Sequence, residues 1–172
     1  QYDLWIAGNR VTDANKKDVL KDGVFNYDSE NRILSISGDC ESGTPGLGGS
    51  SGGIIINSKI DGLTIDVLKD SNLTTYNSNQ DCAVELYGDT RITGEGILNV
   101  RGHGYWLSGE CHGIICHGSL TIDDCTLNVW GLTKGIHATG GSGNLTVITS
   151  DVKCFGSGGN GSKENVDGFA KE

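Results

Sequence analysis

Cys111-His112-Gly113-Ile114-Ile115-Cys116-His117 gathers two thiols and two imidazoles in seven residues, the ligand types that hold zinc. On an extended strand, alternation puts Cys111 and His117 on one face and His112 and Cys116 on the other, so one metal cannot collect all four without a bend. Cys116 therefore reads either as a ligand or as a small inward hydrophobe. Cys82 and Cys111 stand shortly before similar apolar runs, which makes them a candidate disulfide between neighbouring repeats. Asp123-Asp124, with Asp66 and Asp151 at other turns, offers carboxylate oxygens to calcium. The same aspartates are equally suited to closing turns on their own backbone.

Nucleophile and nucleotide motifs fare less well. Gly48-Gly49-Ser50-Ser51-Gly52 fits G-x-S-x-G, but that serine needs a strand-to-helix elbow and no helical pattern follows. Gly46 and Gly48 open a dinucleotide fingerprint that Ser51 breaks, and no Gly-Lys-Ser/Thr exists for a phosphate loop. A paired-carboxylate mechanism needs two acids within about 5–10 Å on one wall; Asp123 and Asp151 are the pair to consider.

Aromatic residues at equivalent positions give the clearest binding chemistry. Arg101, Trp130 and Phe155 each follow an alternating triplet ending in Val100, Val129 and Cys154, and Tyr87 and His117 hold a similar relation. Aromatic faces pack on the apolar faces of sugar rings, while arginine bonds hydroxyls or carboxylates. The competing assignment is local packing, under the 102–110 insertion with Tyr105 and Trp106 or under a further domain.

Such columns need elements that stack equivalents on one another, and the chain repeats. Ile54-Ile55-Ile56-Asn57, Val84-Glu85-Leu86-Tyr87, Ile114-Ile115-Cys116-His117 and Ile136-His137-Ala138-Thr139 start at intervals of 30, 30 and 22 residues. Two further short runs follow each, such as Leu120-Thr121-Ile122 and Leu127-Asn128-Val129, with Gly, Asn, Asp or Ser between. Three short strands per repeat cannot bury an apolar face alone. Stacked about 4.8 Å apart they wind into parallel sheets, and crossover handedness favours a right-handed coil. The fold class expected is all-β, a right-handed single-stranded parallel β-helix. Ile54, Ile56, Val84, Leu86, Ile114, Cys116, Ile136 and Ala138 point inward. Residues 53–172 supply about four rungs, and Asp167-Gly168-Phe169-Ala170 opens a fifth. Residues 39–52 read as a Gly/Ser-rich linker or loop. Residues 1–38 read as a ββαββ cap, with a short helix over about 14–21 between Asp13 and Gly23.

Composition narrows the setting. With 172 residues, 28 of them glycine, the chain makes one turn-rich domain, not a helical bundle. A net charge of −9 and a pI near 4.8 repel phosphate backbones, so nucleic acid is excluded as a partner class, while neutral or cation-bridged acidic glycans fit. No apolar run approaches the roughly 18 residues of a membrane span, so membrane insertion is not expected. The six cysteines permit a secreted setting. The start at Gln1 suggests a processed or excised piece whose partners include further domains of the same protein.

Tyr2-Asp3-Leu4-Trp5-Ile6-Ala7-Gly8-Asn9-Arg10-Val11-Thr12-Asp13-Ala14-Asn15, with Asp22-Gly23-Val24-Phe25-Asn26-Tyr27-Asp28, resembles an N-terminal module of large surface proteins of gut Clostridia-type bacteria. Gly135-Ile136-His137-Ala138, Leu145-Thr146-Val147 and Asp167-Gly168 look like repeats of clostridial cell-surface carbohydrate-binding β-helix domains. That resemblance implies binding of acidic polysaccharide and a role for calcium, with no other cofactor. Pectate lyases and polygalacturonases share the solenoid, but Gly102-His103-Gly104 precedes Asp123-Asp124, the reverse of the polygalacturonase order, and Trp-Ile-Asp-His is missing. The expectation is a noncatalytic carbohydrate-binding or adhesion module, secreted or at the cell surface. A structural spacer and a polysaccharide lyase or hydrolase are the alternatives.

Overall fold

Runs such as Leu63-Thr64-Ile65-Asp66-Val67 alternate fully and partly buried side chains, the signature of a strand with one face in a core. The computed structural model describes residues 1–43, 53–78, 82–104, 111–139 and 144–156, and among them all regular structure is β. The chain begins with β1 (Leu4–Ile6), β2 (Asn9–Arg10), β3 (Phe25–Asp28), β4 (Ile33–Ile36) and β5 (Cys40–Ser42). Four further sets of three follow: β6 (Ile56–Ser58), β7 (Leu63–Val67) and β8 (Ser71–Ser78), then β9 (Cys82–Leu86), β10 (Thr90–Thr93) and β11 (Ile97–Gly104). The last two sets are β12 (His112–Cys116), β13 (Leu120–Asp123) and β14 (Thr126–Gly131), then β15 (Lys134–Ala138), β16 (Leu145–Ile148) and β17 (Asp151–Gly156).

The three strands of each set go to three different sheets, ordered β15-β12-β9-β6-β1-β2, β16-β13-β10-β7-β4-β3 and β17-β14-β11-β8-β5. From one set to the next all pairings are parallel, so the fold is a parallel β-solenoid of about four turns. Register stacks like on like: Ile56, Val84, Ile114 and Ile136 in the first sheet, Leu34, Ile65, Ile92 and Ile122 in the second, Leu73, Val100 and Val129 in the third. All are at most 2% exposed and belong to one core.

Two expectations are corrected. Ile54 is not an inward strand residue; it precedes β6 and is half-buried, and Ile56 lies opposite Val84. Ile55 fixes that register, because its N–H donates to Ala83 O and its carbonyl accepts from Ala7 N, both at 2.8 Å. The ββαββ unit does not form either, since residues 14–21 are turns. Asn15 Oδ1 accepts from the Thr12 amide and hydroxyl, and Asp18 Oδ1 from the amides of Asp22 and Gly23. The Val19 amide meanwhile donates to Phe25 O at 3.0 Å, a tertiary bond a helix would break. What closes this end is antiparallel pairing, β1 on β6 and β3 on β4, over buried Leu4, Ile6, Val11, Val19 and Phe25. β4 and β5 pair in parallel with β7 and β8.

β14 passes into β15 through a corner where backbones nearly touch. A Cβ on Gly131 would sit 1.8 Å from Lys134 O, so only glycine fits there. Gly48 to Gly52, Tyr105, Trp106 and Asp167 to Ala170 lie outside the described residues.

Candidate functional site

The outer face of the third sheet brings Arg101, Trp130 and Phe155 into one column, Arg101 opposite Trp130 and Trp130 opposite Phe155. The indole stacks on Phe155 at 5.3 Å between centroids and 10° between planes, and the Arg101 guanidinium lies over it at 5.1 Å. Arg101 precedes and Phe155 follows Trp130 along the coil axis, so both faces of the indole are occupied. A sugar ring therefore cannot lie flat on Trp130, and the indole acts as a brace for the guanidinium.

Arg101 is the reactive member of the column. Arg10, Arg32 and Arg91 are held by the Asp3 carboxylate, the Asp61 carbonyl and the Asp123 carboxylate. Among the described residues, the Arg101 guanidinium makes no hydrogen bond and no ion pair, although the side chain is fixed on Trp130. It opens on a cleft of about 430 Å³ lined by Asp39, Glu41, Asn72, Thr74, Asn99, Arg101 and Trp130. Its five N–H donors suit a bidentate carboxylate.

Beside the column runs an amide ladder. Asn72 Nδ2 donates to Asp39 Oδ1 at 2.8 Å, Asn99 to Asn72 at 3.0 Å and Asn128 to Asn99 at 2.9 Å. Asn72 and Asn99 each spend one N–H and one carbonyl lone pair on the ladder, Asn128 one N–H, and their remaining donors and acceptors can meet a ligand. Tyr76 and His103 stack at 5.8 Å farther along the same strands, and Tyr76 donates to Glu41 Oε1 at 3.4 Å. Desolvation, with Arg101 nearby, holds the His103 imidazole below its ordinary pKa.

Tyr87 and His117 meet on the first sheet instead, stacked at 4.4 Å and 14° with Lys59 over the other side of Tyr87 at 5.3 Å. Tyr87 donates to Glu85 Oε1 at 2.9 Å, which raises its phenol pKa. The aspartates do not converge: Asp123 pairs with Arg91, Asp151 with Lys153, and Asp124 sits in a turn at φ 51° with its amide on Ile148 O. No group of three or more His, Cys, Asp or Glu with metal-site geometry occurs among the described residues. Cys82 lies opposite His112, one residue beyond Cys111, and all six cysteines are buried thiols.

Sequence reasoning found the column but missed its surroundings. Asp39 and Glu41 fell in the segment read as linker. The asparagine ladder had a signal, since Asn99 and Asn128 occupy the same place in Leu98-Asn99-Val100 and Leu127-Asn128-Val129. Tyr76 and His103 keep the 27-residue offset of Asn72 and Asn99, so the same spacing pointed to them, just before the register shifts at Gly104. Compared with family models, curated proteins and solved structures, the chain matches none.

Proposed function

We propose that the outer face of the third sheet binds an acidic polysaccharide, secreted or at a cell surface, with a sugar carboxylate on Arg101. The observation that carries this is the Arg101 guanidinium, braced on Trp130, without a protein hydrogen-bond partner among the described residues and facing a polar cleft. A guanidinium fixed in advance loses little entropy on meeting a carboxylate. Asn72, Asn99 and Asn128 repeat every coil, about 4.8 Å apart, a spacing near that of successive sugars, so hydroxyls of neighbouring residues reach successive amides. The net charge of −9 opposes an acidic chain at long range, so binding relies on close contacts and tolerates salt.

Calorimetric titration with uronic-acid and neutral oligosaccharides of matched length tests this. Affinity should favour the acidic series, rise with length and then level off, and fall at least tenfold in Arg101→Ala. Equal affinity for both series, or an Arg101→Ala protein that binds as wild type does, overturns it.

A further inference from the structure

The outer face of the first sheet carries a second constellation, unused by the polysaccharide site. Lys59, Tyr87, His117 and Thr139 succeed one another on four coils, each one residue past the aligned Ser58, Leu86, Cys116 and Ala138. Thr139 Oγ1 lies 2.6 Å from His117 Nδ1, and His117 Nε2 lies 3.2 Å from Glu85 Oε1. Ionised Glu85 only accepts, so Nε2 carries the ring proton and donates it to the carboxylate. Nδ1 then holds a lone pair, and the Thr139 hydroxyl donates to it.

Glu85 and His117 are each fixed from behind. Glu85 accepts from Asn57 Nδ2 at 2.9 Å and from the Tyr87 hydroxyl at 2.9 Å, and the His117 ring lies against Tyr87. Exposure rises outward, from 16% for the Glu85 side chain to 33% for His117 and an exposed Thr139. A hydroxyl open to solvent, an imidazole base and a less accessible carboxylate that sets the tautomer are the ordered parts of an activated nucleophile.

We propose that Thr139, His117 and Glu85 form an acyl-transfer site for carboxylic esters with good leaving groups. Thr139 Oγ1 attacks the acyl carbon and its proton passes to His117 Nδ1. The ester C–O bond breaks, and the alcohol leaves with that proton. Water then attacks the acyl-threonine, giving one proton to His117, which returns it to Oγ1 as the acid departs. One ester and one water yield one acid and one alcohol. Glu85 is a positioning residue that also stabilises the transient imidazolium. The amides of Thr139 and His117 donate to Cys116 O and Leu86 O at 2.9 and 2.8 Å, so neither serves the oxyanion. Turnover is accordingly confined to esters such as aryl acetates.

The test uses p-nitrophenyl acetate hydrolysis by the full chain, with mass spectrometry of the chain after a fluorophosphonate. Wild type should exceed Thr139→Ala by about 100-fold, within the range for general base catalysis, and carry one adduct, on Thr139. Thr139→Ser should keep the activity and His117→Ala lose it. Glu85→Gln should lower kcat with KM unchanged, a split that mere loosening would not give. An adduct elsewhere on wild type, or equal hydrolysis by Thr139→Ala and wild type, overturns the proposal. The adduct position needs no variant to fold.

Discussion

Replacing Trp130 by alanine separates a brace from a stacking platform. The indole lies between the Arg101 guanidinium at 5.1 Å and Phe155 at 5.3 Å. Its removal forfeits a cation–π contact of about 0.5–1 kcal/mol and an aromatic stack of about 0.5–1.5 kcal/mol. The ring is also half-buried, and losing that burial adds about 1–2 kcal/mol. The total is about 2–4.5 kcal/mol, so at about 2–4 °C per kcal/mol for a chain of this size the melting temperature should drop by roughly 4–18 °C. Trp130→Phe keeps a ring between the same neighbours and should lose less than half as much. Arg101→Ala, Trp130→Ala and the double variant, unfolded in urea, should couple by about 0.5–1 kcal/mol. Oligosaccharide titration completes the test: Trp130→Ala should weaken binding by releasing Arg101, while Trp130→Phe should retain it. Additive stabilities, within about 0.3 kcal/mol, would refute the brace. A Trp130→Phe protein that loses as much affinity as Trp130→Ala would show that the indole itself touches sugar.

Three more perturbations probe the scaffold. Leu86 is 0% exposed between Ser58 and Cys116, so Leu86→Ala should cost about 3–5 kcal/mol in urea unfolding, whereas Leu68→Ala, at a side chain 52% exposed, should change stability by less than about 0.5 kcal/mol. Gly131→Ala places a Cβ against Lys134 O and should cost at least about 2 kcal/mol, while Gly8→Ala, with open space at φ +78°, should cost only the left-handed backbone penalty of about 1–2 kcal/mol; thermal melts rank the two. Burial pushes the thiols of Cys40, Cys116 and Cys154 from the ordinary 9.0 up to about 11. Their folded pKa lies above the unfolded one, so this stability is complete below pH 9 and lost as pH rises towards 11. Urea midpoints across that range should fall less steeply in a Cys116→Val, Cys154→Val protein than in wild type.

Legibility followed the range of the interactions. Leu120-Thr121-Ile122 and Leu145-Thr146-Val147 repeat the same alternation, and parallel stacking of equivalents was the only way to bury both, so the solenoid and the Arg101, Trp130, Phe155 column were readable beforehand. Ile54 was misassigned because three consecutive isoleucines carry no period-2 signal, and only the bonds from Ile55 to Ala83 and Ala7 choose the phase. Asp13 to Leu20 has the capping residues of a helix, yet Asn15 and Asp18 turn their side chains on the backbone and Phe25 captures the Val19 amide.

The sequence by itself determined which residues share a column, because side chains alternate with period 2 and coils repeat at intervals of 22 to 30 residues. It determined too that the third-sheet column would join a cation to aromatic rings. Tertiary structure alone decided what the members of a column do to one another. Coils of unequal length bring Glu85, His117 and Thr139 within hydrogen-bonding distance across intervals of 32 and 22 residues. The spacing between coils, about 4.8 Å, forces Trp130 face to face with both neighbours, turning a surface that reads as a sugar platform into a support for one arginine. Periodicity is a property of the chain, whereas the facing of rings and the direction of each proton depend on contacts between coils.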